Sequence, residues 1–149
     1  MNVTKLALTL ALAGVIPPTF AQSFSEFIII DELREDIEQL VSTFGDQDNM
    51  RVIEGFSPNA IEQISNSLEH VQIEELHIYT ATKPGAIVFG SISITSNNQS
   101  DWSPILRDWA HVVSDKVIIH SEVVFSGAEG IQLKQELENT TGLVFTSHN

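Results

Sequence analysis

Leu76-His77-Ile78-Tyr79-Thr80-Ala81-Thr82-Lys83-Pro84-Gly85-Ala86-Ile87-Val88-Phe89-Gly90 is the first of two stretches that decide the fold. The second is Val117-Ile118-Ile119-His120-Ser121-Glu122-Val123-Val124-Phe125-Ser126-Gly127-Ala128-Glu129-Gly130. Each is a short run rich in β-branched residues that breaks into small residues and glycine, as a strand does where it ends in a loop. Upstream, Glu26 to Asp31 is a continuous apolar run, expected of a strand buried on both faces. Leu33, Ile37, Leu40, Val41 and Phe44 then recur at helical spacing, and Gly45 stops that helix. Met50 to Ile53 reads as a second strand. Ser57-Pro58 reads as the start of a helix with Ile61, Ile64, Leu68 and Val71 on one stripe.

Beyond the first stretch, Ala86 to Ile94 reads as a short β excursion after the Pro84-Gly85 turn. The polar run Thr95 to Ser100 is expected to be a mobile loop. Ser103-Pro104 is expected to cap a helix carrying Ile105, Trp109, Val112 and Val113. A helix from Ala128 to Thr140 stops at Gly142, and Leu143 to Phe145 forms the last strand. Strands alternating with crossover helices give an α/β fold. The expectation is one domain: a mostly parallel sheet of about five strands in the order 2-1-3-4-5, flavodoxin-like, with helices on both faces. Ligands of such sheets bind beyond the carboxyl ends of the strands.

The N-terminus reads as a secretory signal over residues 1–21. Lys5 supplies the charged start, Leu6 to Ile16 the apolar segment, and Thr19-Phe20-Ala21 the small-residue site before the cut. Eleven apolar residues from 6 to 16 are too few to span a bilayer, which takes about 20. The expectation is therefore a mature domain, 22–149, that is exported to the periplasm, the medium or the cell surface, with no membrane insertion after cleavage. The chain has 7 Lys and Arg against 20 Asp and Glu, a formal charge of −13. Loss of Lys5 with the signal makes it −14. A nucleic-acid partner is excluded on this charge, because phosphates demand Lys/Arg clusters. The run Asp46-Gln47-Asp48-Asn49 lacks the glycine and the distal Glu of a calcium loop. No cysteine is present, so neither disulfides nor thiol chemistry are available.

The two opening stretches, with the downstream Leu137 and Thr141-Gly142, resemble the bacterial family called domain of unknown function 4347, over about residues 26–147. Its first segment reads hydrophobic-hydrophobic-Ser-His-Gly-x-x-Gly, and its second hydrophobic-Tyr-Gly-Cys-x-x-Ala-x-x-Gly. The resemblance places the Ser-His-Gly positions at Thr80, Ala81 and Thr82, and the Tyr-Gly-Cys positions at His120, Ser121 and Glu122. A His beside a Cys at adjacent strand ends is the arrangement of caspase-like cysteine peptidases. The resemblance thus implies a caspase-like fold in which Ala81 and Glu122 are the vestigial dyad positions. It also implies a cell-surface or adhesin-related context. This chain lacks the Gly-Gly-x-Trp segment that continues the family pattern.

The expected function is that of a non-catalytic binding domain, a pseudoenzyme whose partner is an unknown protein or surface ligand. Its cleft would be lined by Asp31, Thr80, Thr82, Gly85, His120, Ser121, Gly127 and His148. Asp31 reads equally as a cleft residue and as the N-cap of the helix that follows it. The alternative is a hydrolase with a rearranged site built on His120, Glu122 and Asp31. His120, Glu122 and His148 read as a polar strand end in preference to zinc ligands, since nothing fixes a third ligand: no metal and no cofactor are expected. His77 reads as a core or helix-covered histidine.

Overall fold

A computed structural model describes residues 22–45 and 47–148. The expected signal segment with its expected cleavage point, and the start of the acidic run at Asp46, lie outside the described residues. Five strands form one parallel sheet: β1 (Gln22–Asp31), β2 (Met50–Ile53), β3 (Val71–Tyr79), β7 (Val113–His120) and β8 (Val144–His148). Their order is β2-β1-β3-β7-β8, and every adjacent pair is parallel. This is the expected 2-1-3-4-5 order. Three further strands, β4 (Ala81–Lys83), β5 (Ala86–Phe89) and β6 (Ile92–Thr95), form a separate antiparallel meander inserted after β3.

Four α-helices connect the strands: α1 (Ile37–Phe44), α2 (Ala60–Ser67), α3 (Gln99–Leu106) and α4 (Gly127–Thr141). α2, α3 and α4 pack with one another over one face of the sheet. Ala60 and Ile64, Trp102 and Leu106, and Leu133 and Leu137 close that face over Phe27, Ile29, Leu76, Ile78, Val117 and Phe145. α1 lies over the other face, where Phe44 meets the Tyr79 ring at 5.5 Å. No residue of α1 is buried, so the sheet is dry on one side and half-wet on the other. Among the described residues, no helix is long and apolar enough to cross a membrane.

Several boundaries move for physical reasons. The polar run expected to be a mobile loop is a capped turn. Thr95 and Asn98 form a reciprocal capping box around the 3₁₀ turn Ser96–Asn98, which runs directly into α3. Pro104 therefore sits inside α3 and does not start it. Trp109 lies on a 3₁₀ turn, Arg107–His111, and Val113 begins β7. Trp102 donates Nε1–H to Thr95 O at 2.8 Å and Trp109 to Ser65 Oγ at 2.9 Å, so both buried indoles are satisfied. α2 starts at Ala60, after the Ser57-Pro58 turn, and Val71 belongs to β3 because His70 breaks the helical path at φ +63°. β3 also changes phase. Its inward residues are Val71 and Ile73 before Glu74-Glu75, but Leu76 and Ile78 after it. The register against β7 shifts at the same place.

The carboxyl end of β1 is locked by Asp31, which is 1% exposed. Its Oδ1 accepts the Leu33 N–H at 3.0 Å. Its Oδ2 lies 2.9 Å from Thr80 Oγ1, which is also 2.6 Å from Val88 O. The hydroxyl has one proton and serves one of these acceptors at a time. Gly55 makes room for the carboxylate: a Cβ there would stand 2.2 Å from Asp31 Oδ1. Gly55→Ala is expected to cost about 1–3 kcal/mol, the range for forced overpacking. Phe56→Ser, at a neighbour that is 72% exposed, should change stability by less than about 0.5 kcal/mol. Urea unfolding followed by the fluorescence of Trp102 and Trp109 measures both; equal midpoints for the two variants would refute the packing argument.

Candidate functional site

β1 and β3 are the neighbours at which the strand order reverses, and the loops after them diverge around a cavity of about 650 Å³. Asp31, Leu33, Arg34, Glu35 and Asp36 from the β1 loop line it, with Ala81, Val88 and Gly90 from the meander. Gly90 has φ +57°, and a Cβ there would come 2.6 Å from Gly55 O, so the meander closes directly against the β2 loop. A second cavity of about 420 Å³ lies on the α1 side, lined by Arg34, Asp36, Tyr79, His120 and His148. Arg34 and Asp36 border both. Arg34 donates Nε–H and Nη2–H to the two Asp36 oxygens at 2.7 Å each and Nη1–H to Thr80 O at 3.3 Å. The hydrogen bond to Arg34 holds the Asp36 carboxyl below its ordinary range, and the same pair raises the guanidinium further.

The α1 side of the sheet carries a stack of rings. His120 lies flat on Tyr79, with centroids 3.9 Å apart and planes 7° apart. His77 Nδ1 is 2.9 Å from His120 Nε2, and His148 meets His120 edge-on at 5.8 Å. Burial is the main reason why the His120 pKa falls to about 4, with the neighbouring His77, His148 and Arg34 adding to it. Burial also raises Tyr79, with Glu26 second. Arg34, Asp36 and Tyr79 are not among the expected site residues, and His77, expected to be covered, is 13% exposed at the side chain. The signal was the outward alternation Glu75, His77, Tyr79 on β3, matched by Lys116 and His120 on β7.

Each expected site residue has a definite place. The loops that follow β3 and β7 are brought together: Thr82 Oγ1 and Ser121 Oγ are 2.7 Å apart. Ala81 and Glu122 flank that contact and are both exposed. Ser121 Oγ also accepts the N–H groups of Val123 and Val124, and its own N–H donates to His148 O at 2.8 Å. Asp31 lines the larger cavity from beneath. It braces the Asp31–Arg34 turn but does not cap α1, which begins at Ile37. Thr80 is buried against Asp31. Gly85 is buried under α4, where a Cβ would stand 2.7 Å from Glu129 Cβ. Gly127 opens α4 at φ +70°. His120 and His148 line the smaller cavity. Asp31 and His120 therefore line different cavities, with Arg34 and Asp36 on the border between them.

The sign of the pH effect follows from the lowered His120 value. Between about pH 6.5 and pH 4 the unfolded chain takes up a proton at position 120 that the folded chain refuses. Stability should fall as pH drops through that window, and His120→Asn should flatten the slope relative to the parent. An NMR titration of the imidazole C–H signals checks the origin. His120 is expected to titrate more than one unit below the free value of about 6.5; titration at the free value would remove the basis for the slope.

No curated protein and no solved structure matches the chain. Residues 27–149 match the family described as Domain of unknown function (DUF4347). With the strand order, the paired loops at Thr82 and Ser121 and the family match in agreement, the chain belongs to the DUF4347 family.

Proposed function

We propose that this chain is an exported, non-catalytic domain of caspase-like α/β architecture that binds a protein or surface ligand in its strand-end cleft. The observation that carries the reading is a cavity retained without the chemistry. Ala81 stands at the family's His position and lines the cavity of about 650 Å³, Glu122 stands at the Cys position, and the chain has no cysteine. A concave, partly apolar pocket with a few convergent polar groups is what a ligand needs, and here Arg34, Asp36 and the Asp31 turn supply the polar groups. The signal-like N-terminus supports export, and the family's adhesin-related context supports a role at the cell surface. The rearranged hydrolase would need Asp31, Glu122 and His120 in one pocket, whereas Asp31 is tied to Thr80 and Leu33 and His120 is stacked on Tyr79 in the other cavity.

The deciding experiment blocks the cleft. Ala81→Trp should reduce capture of partners from culture supernatant by at least tenfold with little change in melting temperature, while Glu62→Ala on α2 should leave capture intact. Turnover of a panel of peptide, ester and glycoside substrates by the unaltered protein would overturn the non-catalytic reading. Capture that survives Ala81→Trp but fails with Glu62→Ala would move the interface to the helical face.

The vestigial assignment has its own check. In the double variant Ala81→His with Glu122→Cys, the new thiol should titrate clearly below the free cysteine value of about 8.5, read by alkylation rate against pH. A folded double variant with an unshifted thiol would count against the proposed pairing.

A further inference from the structure

The rung below the stacked rings carries a separate constellation. Glu26 of β1 and Glu75 of β3 are direct partners in the parallel register, so their side chains rise side by side from the same face. His77, two residues further along β3, leans over both. Its Nε2 lies 3.2 Å from Glu26 Oε1 and 3.2 Å from Glu75 Oε1. Among the described residues, these three form the group of His and carboxylate ligands whose donor atoms all lie within 4.8 Å of one another. We propose that Glu26, Glu75 and His77 form a binding site for a first-row divalent transition-metal ion such as zinc(II).

Three observations carry this. The first is spacing. Ligand atoms about 2.0–2.2 Å from a shared zinc ion are roughly 3.0–3.4 Å from one another in octahedral or tetrahedral geometry, and both nitrogen-to-oxygen separations are 3.2 Å. The second is orientation. The far nitrogen of His77, Nδ1, is 2.9 Å from His120 Nε2. When Nδ1–H donates to His120, Nε2 presents its lone pair to the two carboxylates, the outer-shell arrangement that fixes a ligating imidazole. His120 is in turn clamped on Tyr79 and acts as a positioning residue. The third is rigidity. All three ligands stand on paired central strands, not loops, and Lys116 Nζ holds the other Glu75 oxygen, Oε2, at 3.5 Å, which leaves Oε1 directed at His77.

The donor set selects the class of ion. One imidazole with two carboxylates suits zinc(II) and its neighbours, with further positions left for water, whereas calcium and magnesium favour all-oxygen shells. His77 is 13% exposed and Glu26 is 55% exposed at the side chain, so an ion would reach the site from solvent. This site is distinct from the strand-end cleft and does not depend on its role.

Isothermal titration of the purified protein with zinc chloride tests the proposal. The expected result is saturable uptake of one ion per chain. Glu26→Gln and Glu75→Gln should each raise the Kd at least tenfold, while His111→Ala, at an exposed histidine elsewhere, leaves it unchanged. Millimolar calcium should not displace the zinc. In nitrogen NMR spectra the His77 Nε2 signal should move on zinc addition, a readout that holds even if His77→Ala fails to fold. Absence of one-to-one uptake, uptake that survives the combined Glu26→Gln and Glu75→Gln change, or loss of uptake on His111→Ala would each overturn the assignment. Equal competition by calcium would overturn the choice of ion class.

Discussion

The buried Asp31 carboxylate is the constraint on which the working end of this molecule rests. A carboxylate out of water is costly unless its oxygens are matched. Here the Leu33 N–H matches one, and the Thr80 hydroxyl, whose single proton is shared with Val88 O, faces the other. The first contact shapes the turn that presents Arg34, and the second ties the end of β1 to the end of β3. Space for the carboxylate exists only because position 55 has no side chain. The bare backbone there then lets the meander close in at Gly90. One polar group thus sets the mutual positions of three loops, and the cavity between them is a by-product of that closure.

Strand order was legible because the central strands are short apolar runs that only a doubly covered parallel sheet can absorb, and because Gly45 and Gly142 punctuate two helices where their polar C-terminal groups need it. Gly142 takes the left-handed conformation at φ +76° and donates its N–H to Glu138 O at 2.8 Å. Local chemistry hid the rest. Thr95 and Asn98 look like loop residues by composition, yet their spacing is that of a reciprocal cap. Pro104 looks like a helix start, yet the helix was already begun by that cap.

The candidate site was half legible. The family pattern pointed to the ends of β3 and β7, and the Thr82 to Ser121 contact shows that those ends meet. Arg34 and Asp36 were invisible because nothing in a lone Arg-Glu-Asp run distinguishes a solvated turn from a bidentate pair at a cavity rim. The imidazoles are a different case. The expected helix stripe ends on Val71, whereas β3 runs from Val71 to Tyr79 and changes its inward parity between Ile73 and Leu76, so the first half of the strand says nothing of where His77 lies. The side chain of that histidine is nonetheless largely covered, at 13% exposed.

β3 shifts against β7 between Ile73 and Glu75. Side chains on a strand alternate strictly, so a slip of one position inverts everything downstream of it. The outward placement of Glu75, His77 and Tyr79 is therefore encoded by a count of residues, not by their identity. Substitution at Glu74 leaves the phase intact. Deletion of that one residue would bring Val71 and Ile73 into step with Leu76 and Ile78 and ease the irregularity against β7, with His77 and Tyr79 still outward, but it would break the unshifted register that β3 keeps with β1. Glu74 is thus the point in β3 where a change of length matters more than a change of side chain, because it would trade the irregularity against β7 for a broken pairing with β1.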